Sequence, residues 1–246
     1  MLEIKNLSYS AGGVRILKNI NLSVDERFVA ITGPNGSGKS TLAKLIAGII
    51  APDEGKILLD GTDITEMSIT DRARAGITFA FQQPVRFKGI TVLDLLTYAS
   101  GKKLSVADAC EYLSEVGLCA KDYVKREVNA SLSGGELKRI EIATALARST
   151  KLTVFDEPEA GIDLWSFNSL IRVFEGMYEK NRGSIMIISH QERILNIADK
   201  IVLLKGGEIV RVGTKDEVMP ELIGISSAGC IMTETSAKNG AAEKKN

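Results

Sequence analysis

Gly33-Pro34-Asn35-Gly36-Ser37-Gly38-Lys39-Ser40-Thr41 satisfies the pattern G-x-x-x-x-G-K-[ST] at every fixed position. Glycines let the backbone curl so that successive N–H groups face phosphate oxygens. Lys39 brings a cation to the β- and γ-phosphates, and the Ser40 hydroxyl can ligate Mg2+. Asp156 and Glu157 close an apolar run, Leu152–Phe155. The first carboxylate can hold the metal, directly or through water, and the second, projecting differently, is the candidate for polarising an attacking water. Gln82 ends another apolar run, just before Gln83-Pro84, and its amide can touch both metal and water. His190, the only histidine, follows Ile185–Ser189, from where its imidazole can donate to a γ-phosphate. Tyr9 is a candidate for stacking on adenine. These are the parts of an ATP–Mg2+ site built for phosphoryl transfer to water.

A second phosphate-facing motif stands at Leu132-Ser133-Gly134-Gly135-Glu136, shortly before the acidic strand. It offers a serine hydroxyl, backbone N–H groups and the positive end of a helix. The two motifs cannot serve one nucleotide from one polypeptide, which implies a homodimer that closes around ATP.

The elements that position these residues follow from periodicity. Leu2–Ser8, Ile16–Val24 and Phe28–Ile31 read as strands, the last feeding straight into the glycine-rich loop, and a helix is expected from Lys39 to about Gly48. Lys56–Asp60 and Ile77–Phe81 read as further strands. From Thr91 to Leu118 the apolar spacing turns helical, which marks a small helical insertion. Strands Leu152–Phe155, Ser184–Ser189 and Ile201–Leu204 then alternate with helices Gly134–Arg148, Asp163–Lys180 and Glu192–Ala198. That alternation specifies an α/β chain with a parallel sheet covered by helices. The polar stretch Ser226–Asn246 reads as a mobile tail.

Composition narrows the function classes. The 246 residues carry 31 basic and 31 acidic side chains, a balance that argues against nucleic-acid binding by bulk charge. Hydrophobic residues make up 44%, ordinary for a soluble protein. The N-terminus has no signal-peptide core and no apolar run is long enough to span a bilayer, so a cytoplasmic location is expected. Cys110, Cys119 and Cys230 lie far apart, as free thiols in a reducing compartment would.

Taken together, Gly33–Thr41, Gln82, Leu132–Glu136, Asp156-Glu157 and His190 resemble the nucleotide-binding domain of the ATP-binding-cassette (ABC) superfamily, from Met1 to about Leu222. The resemblance implies a P-loop NTPase core with a mixed sheet over residues 1–225. It also implies a helical subdomain inserted at about 88–148 and a head-to-tail dimer holding two ATPs. It makes Asp163 the aspartate that communicates between the two sites. Asp25-Glu26-Arg27 departs from the family's usual Gly-Glu, in a surface turn.

Within the superfamily, Pro158-Glu159-Ala160-Gly161-Ile162-Asp163 and Ser189-His190-Gln191-Glu192 are similar to the ATPase subunits of the SUF iron–sulfur cluster assembly machinery. That resemblance implies a SUF-type scaffold protein as partner, with this chain as the motor. The alternative is the ATP-binding subunit of a transporter, which would receive a coupling helix of a membrane permease beside Gln82–Leu118. Lys138 and Glu159 are expected to pair as a weak latch near Glu157 in the free subunit.

Overall fold

The computed structural model describes residues 1–148, 150–162, 164–180 and 183–222. In chain order its elements are β1 (Leu2–Ala11), β2 (Val14–Val24), β3 (Phe28–Thr32), α1 (Lys39–Ala47), β4 (Glu54–Leu59), β5 (Thr62–Asp63), α2 (Ile69–Ala75), β6 (Ile77–Ala80), α3 (Val92–Ser100), α4 (Val106–Glu115), α5 (Ala120–Tyr123), α6 (Gly134–Arg148), β7 (Leu152–Asp156), α7 (Leu164–Lys180), β8 (Ser184–Ile188), α8 (Glu192–Ile197), β9 (Lys200–Lys205) and β10 (Glu208–Gly213).

Every residue of β3 and β7 is buried, the pattern of strands covered on both faces. They lie inside a six-stranded sheet of order β10-β9-β3-β8-β7-β6, parallel throughout except that β10 runs antiparallel to β9. The first strands do not join this sheet. β2, β1, β4 and β5 form an antiparallel sheet of their own, in that order, so the sheet structure is mixed.

Helix α1 packs between the two sheets, with Leu42, Leu45 and Ile46 in a cluster that takes Leu7, Leu17 and Ile57 from one sheet and Ile31, Val154 and Ile188 from the other. The other face of the parallel sheet meets α3, α4, α6 and α7. There Phe174 of α7 sits edge-on to Phe28 and Phe155, at ring separations of 6.4 and 5.2 Å. The helical segment starts cleanly: α3 and α4 each open on a capping box, Thr91 with Asp94 and Ser105 with Asp108.

The carbonyls at the end of α1 are satisfied by an unusual partner. Arg72 of α2, 1% exposed, donates to the carbonyls of Leu45, Ile46, Met67 and Thr65. A planar guanidinium with five donors suits such a cluster of orphan acceptors. Among the described residues no helix is long and apolar enough to cross a membrane. Cys110 and Cys119 are free; Cys230 and the expected tail lie outside the described residues.

Candidate functional site

Strands β3, β6, β7 and β8 run parallel, so their C-terminal ends meet at one edge of the sheet. Ligands of open α/β sheets bind at that edge. The ends deliver Gly33, Gln82, Glu157 and His190 to one place. A cavity of about 670 Å3 opens there, lined by Asn35, Gly36, Gly38, Lys39, Ser40, Thr41, Gln82 and Glu157.

The loop between β3 and α1 requires glycine at two positions for steric reasons. Gly33 has φ +140°, and a Cβ there would lie 1.9 Å from the Leu204 carbonyl oxygen. Gly38 has φ +101°, and its Cβ would meet Leu17 Cδ2 at 2.6 Å. Helix α1 then starts on Gly38 with no side-chain cap and no acidic residue in its first turn, which leaves its amides open to an anion. Pro34 and Ser37 complete the turn through a Ser37 N–H to Pro34 carbonyl bond of 3.2 Å, and the buried Ser37 hydroxyl has no hydrogen-bond partner among the described residues.

Lys39 is buried, and its ammonium donates to the carbonyls of Gly33 and Pro34 at 2.8 and 2.9 Å. Burial pulls its pKa below the ordinary lysine value, and the carboxylates of Glu157 and Asp156 oppose that shift. Ser40 Oγ donates to Asp156 Oδ1 at 2.9 Å. Burial raises the Asp156 pKa, against the Ser40 hydrogen bond. Two hard oxygens at one spot, beside amides open to phosphate, fit Mg2+ completed by phosphate oxygens and water. No group of three or more His, Cys, Asp or Glu among the described residues offers an all-protein metal cage.

Glu157 leaves the end of β7 in the left-handed region, φ +45°, where a non-glycine residue is held only by its surroundings. Its amide donates to the Ile188 carbonyl at 3.0 Å. The turn places its carboxylate between two expected partners. Gln82 Nε2 donates to Oε2 at 2.6 Å, and His190 Nε2 stands 3.4 Å from Oε1. The structure therefore brings together Lys39, Ser40, Asp156, Glu157, Gln82 and His190.

Ser133, Gly134 and Gly135 do not line this cavity; Ser133 and Gly134 are exposed at the start of α6. Glu136, grouped with them in the sequence, is engaged within its own chain. It forms a capping box with Ser133 (2.6 and 3.2 Å) and accepts from Tyr123 Oη, with Arg126 at 3.6 Å. Its carboxylate closes the helix start and ties it to α5, beside the exposed Ser133 and Gly134.

Two expectations do not hold. Tyr9 packs against the core between the sheets and pairs across strands with Leu17, away from the cavity. Val14, Arg15 and Ile16, with Gly206-Gly207 of the β9–β10 turn, stand at the cavity instead. The glycine pair between two apolar runs was the available signal for that turn. Nor do Lys138 and Glu159 form a latch. Lys138 is 1% exposed and donates to the Phe81 carbonyl and to Glu141, whereas Glu159 accepts from Ser189 Oγ. The helix turns Lys138 inward, toward polar groups it cannot leave without burying an unpaired charge. Asp163 lies outside the described residues.

The sequence profile of the ABC transporter family matches residues 17–160. An uncharacterised ABC transporter ATP-binding protein of Methanocaldococcus jannaschii is 41% identical over 228 residues, covering 89% of this chain and 90% of the relative. A probable ATP-dependent transporter of Pyropia yezoensis, ycf16, is 36% identical over 231 residues, covering 87% and 91%. Among solved structures, a dimeric post-hydrolysis state of an ATP-binding cassette bound to ADP and Pi superposes with a TM-score of 0.77 at 27% identity, covering 87% of this chain and 98% of that one.

Proposed function

Because the chain belongs to the ABC transporter family of ATP-binding cassettes, we propose that it is a motor subunit in which two copies close head to tail on ATP and move a SUF-type iron–sulfur assembly scaffold. It is an ATPase that takes ATP with Mg2+. The carrying observation is the placement of Glu157 between Gln82 and His190, one residue beyond the Ser40–Asp156 pair.

Each side chain then has a role. The loop amides and Lys39 hold the phosphates, and Ser40, Asp156 and Gln82 hold Mg2+, which neutralises phosphate charge when bound. Glu157 accepts a proton from the attacking water, and His190 donates to the γ-phosphate. Positioning of this kind accounts for most phosphoryl-transfer catalysis. The exposed Ser133 and Gly134, with the half-buried Gly135, complete the partner's site, a reading supported by the dimeric arrangement of the related cassette. Asp163 links the two sites.

The SUF reading rests on Pro158-Glu159-Ala160-Gly161-Ile162 and Ser189-His190-Gln191-Glu192. The transporter reading is favoured by the relatives' names. Either partner would seat in the apolar hollow of about 160 Å3 lined by Phe79, Phe81, Val85, Phe87 and Leu95. Co-expression with the SUF-type scaffold of the same genome decides between them. A stable complex with stimulated ATP hydrolysis is expected; no association, together with co-purification of a multispanning permease, would overturn the SUF assignment and keep the ATPase.

A further inference from the structure

We propose that Lys138 and Glu141 are positioning residues for ATP hydrolysis: from α6 they grip both backbone groups of Phe81 and so hold the adjacent Gln82 on Glu157. This rests on the role given to Gln82 above.

β6 is the outermost strand of its sheet, and its pairing with β7 ends at Ala80 opposite Phe155. Beyond that point no neighbouring strand among the described residues sets the direction of the chain. The Phe81 N–H and C=O need partners from elsewhere. The N–H donates to Glu141 Oε1 at 2.8 Å, and the C=O accepts from Lys138 Nζ. The two side chains are three residues apart on one helix face and close the ring themselves, Lys138 Nζ standing 3.0 Å from Glu141 Oε2. One peptide segment is thus held from both sides by a charged pair. The next side chain along, Gln82, donates to Glu157 at 2.6 Å.

The chemistry of the pair argues for a directional task. The Lys138 side chain is 1% exposed, in a helix whose neighbouring buried positions are Leu137, Ile140, Ile142 and Ala143. An apolar residue would fill that space without desolvating an ammonium, and buried ion pairs are weak contributors to stability compared with well-packed apolar groups. What the pair supplies is orientation, because its hydrogen bonds to the backbone are charge-assisted and sensitive to angle. Burial raises the Glu141 pKa, and the Lys138 ammonium opposes that shift. The Phe81 ring adds little restraint, since it stands at the surface edge-on to Phe79.

The test is a double-mutant cycle on the full chain with Mg-ATP. Lys138→Met and Gln82→Ala are made singly and together, and kcat is read beside the Kd of a fluorescent ATP analogue. Lys138→Met is expected to lower kcat by about tenfold while Kd moves less than about twofold. In the Gln82→Ala background the same change should lower kcat by less than about twofold, because the positioned group is already gone. An equal loss in both backgrounds, or no loss in the parent, would overturn the positioning role. Should Gln82→Ala alone leave kcat intact, the role of Gln82 falls instead. Glu141→Gln, of nearly the same shape, is read in the same cycle and decides the matter if Lys138→Met does not fold.

Discussion

The Ser40 hydroxyl donates to Asp156 Oδ1 at 2.9 Å, joining the first turn of α1 to the end of β7. A bond between the phosphate loop and the acidic strand places the two oxygens proposed to ligate Mg2+ in contact from elements far apart in sequence. Asp156→Asn keeps the shape and removes the anion that Mg2+ needs. It is expected to raise the Mg2+ concentration for half-maximal hydrolysis by about tenfold or more, with a larger fall in kcat. A magnesium titration of ATPase activity reads this directly.

Lys39 and His190 should separate binding from turnover. Lys39→Ala removes a phosphate contact present in the ground state, so the nucleotide Kd should rise by at least about tenfold and activity should fall with it. His190, whose imidazole stands 3.4 Å from the Glu157 carboxylate, is the proposed donor to the γ-phosphate. His190→Ala should lower kcat by about a hundredfold and change Kd by less than about threefold. Similar losses of binding in the two variants would show that the histidine has been misplaced in the mechanism.

How far the sequence revealed this site depends on what fixed each residue. Gly33 and Gly38 were legible because the backbone there admits no Cβ, so the steric demand is written as residue type. β3 and β8 were legible as continuous apolar runs, and β7 as one broken only by Thr153. β10 was not, because its apolar run, Ile209-Val210 between Glu208 and Arg211, is only two residues long. α2 was missed because its buried residue is Arg72, a guanidinium doing the work of a helix cap. Lys138 was misread for a related reason: lysine is a surface residue by default, and only the packing of α6 shows it turned inward. The strands before the loop read correctly as strands, but periodicity carries no information on which sheet they join.

Arg72 supplies a stability prediction. Arg72→Met leaves the Leu45, Ile46, Met67 and Thr65 carbonyls without their donors in a buried place. The expected cost is about 3 kcal/mol, read as a lower urea midpoint at unchanged slope. A midpoint unchanged from the parent would mean that the carbonyls find other partners.

Glu136 gives a pH dependence with a definite sign. The Tyr123 hydroxyl first, and the Ser133 amide next, hold its pKa below the ordinary carboxylate value. A carboxylate whose folded pKa is depressed contributes stability above its unfolded pKa, about 4.3, and loses it as pH falls through the folded value. Glu136→Gln should therefore lower the thermal midpoint at pH 7, and the gap from the parent should narrow below about pH 4. A gap that widens on acidification would contradict the assignment.

On the adenine side, Tyr9→Leu should leave the ATP Kd within about twofold, because the ring packs into the core. Ile16→Ala should weaken binding by about three- to tenfold, as Ile16 stands at the cavity. Isothermal titration with a hydrolysis-blocked variant compares the two, and a larger effect at Tyr9 would reverse this reading.

The central claim is that Ser133, Gly134 and Gly135 complete a site on a second copy. Glu157→Gln preserves shape and removes the proton acceptor, so ATP should stay bound and uncleaved. The molar mass of this variant in solution with Mg-ATP is the most direct measurement. A mass of twice the monomer is expected, returning to one on adding Ser133→Arg, which fills the motif. A monomer with ATP bound, at protein concentrations of about 0.1 mM where a micromolar dimer would be populated, would contradict the account.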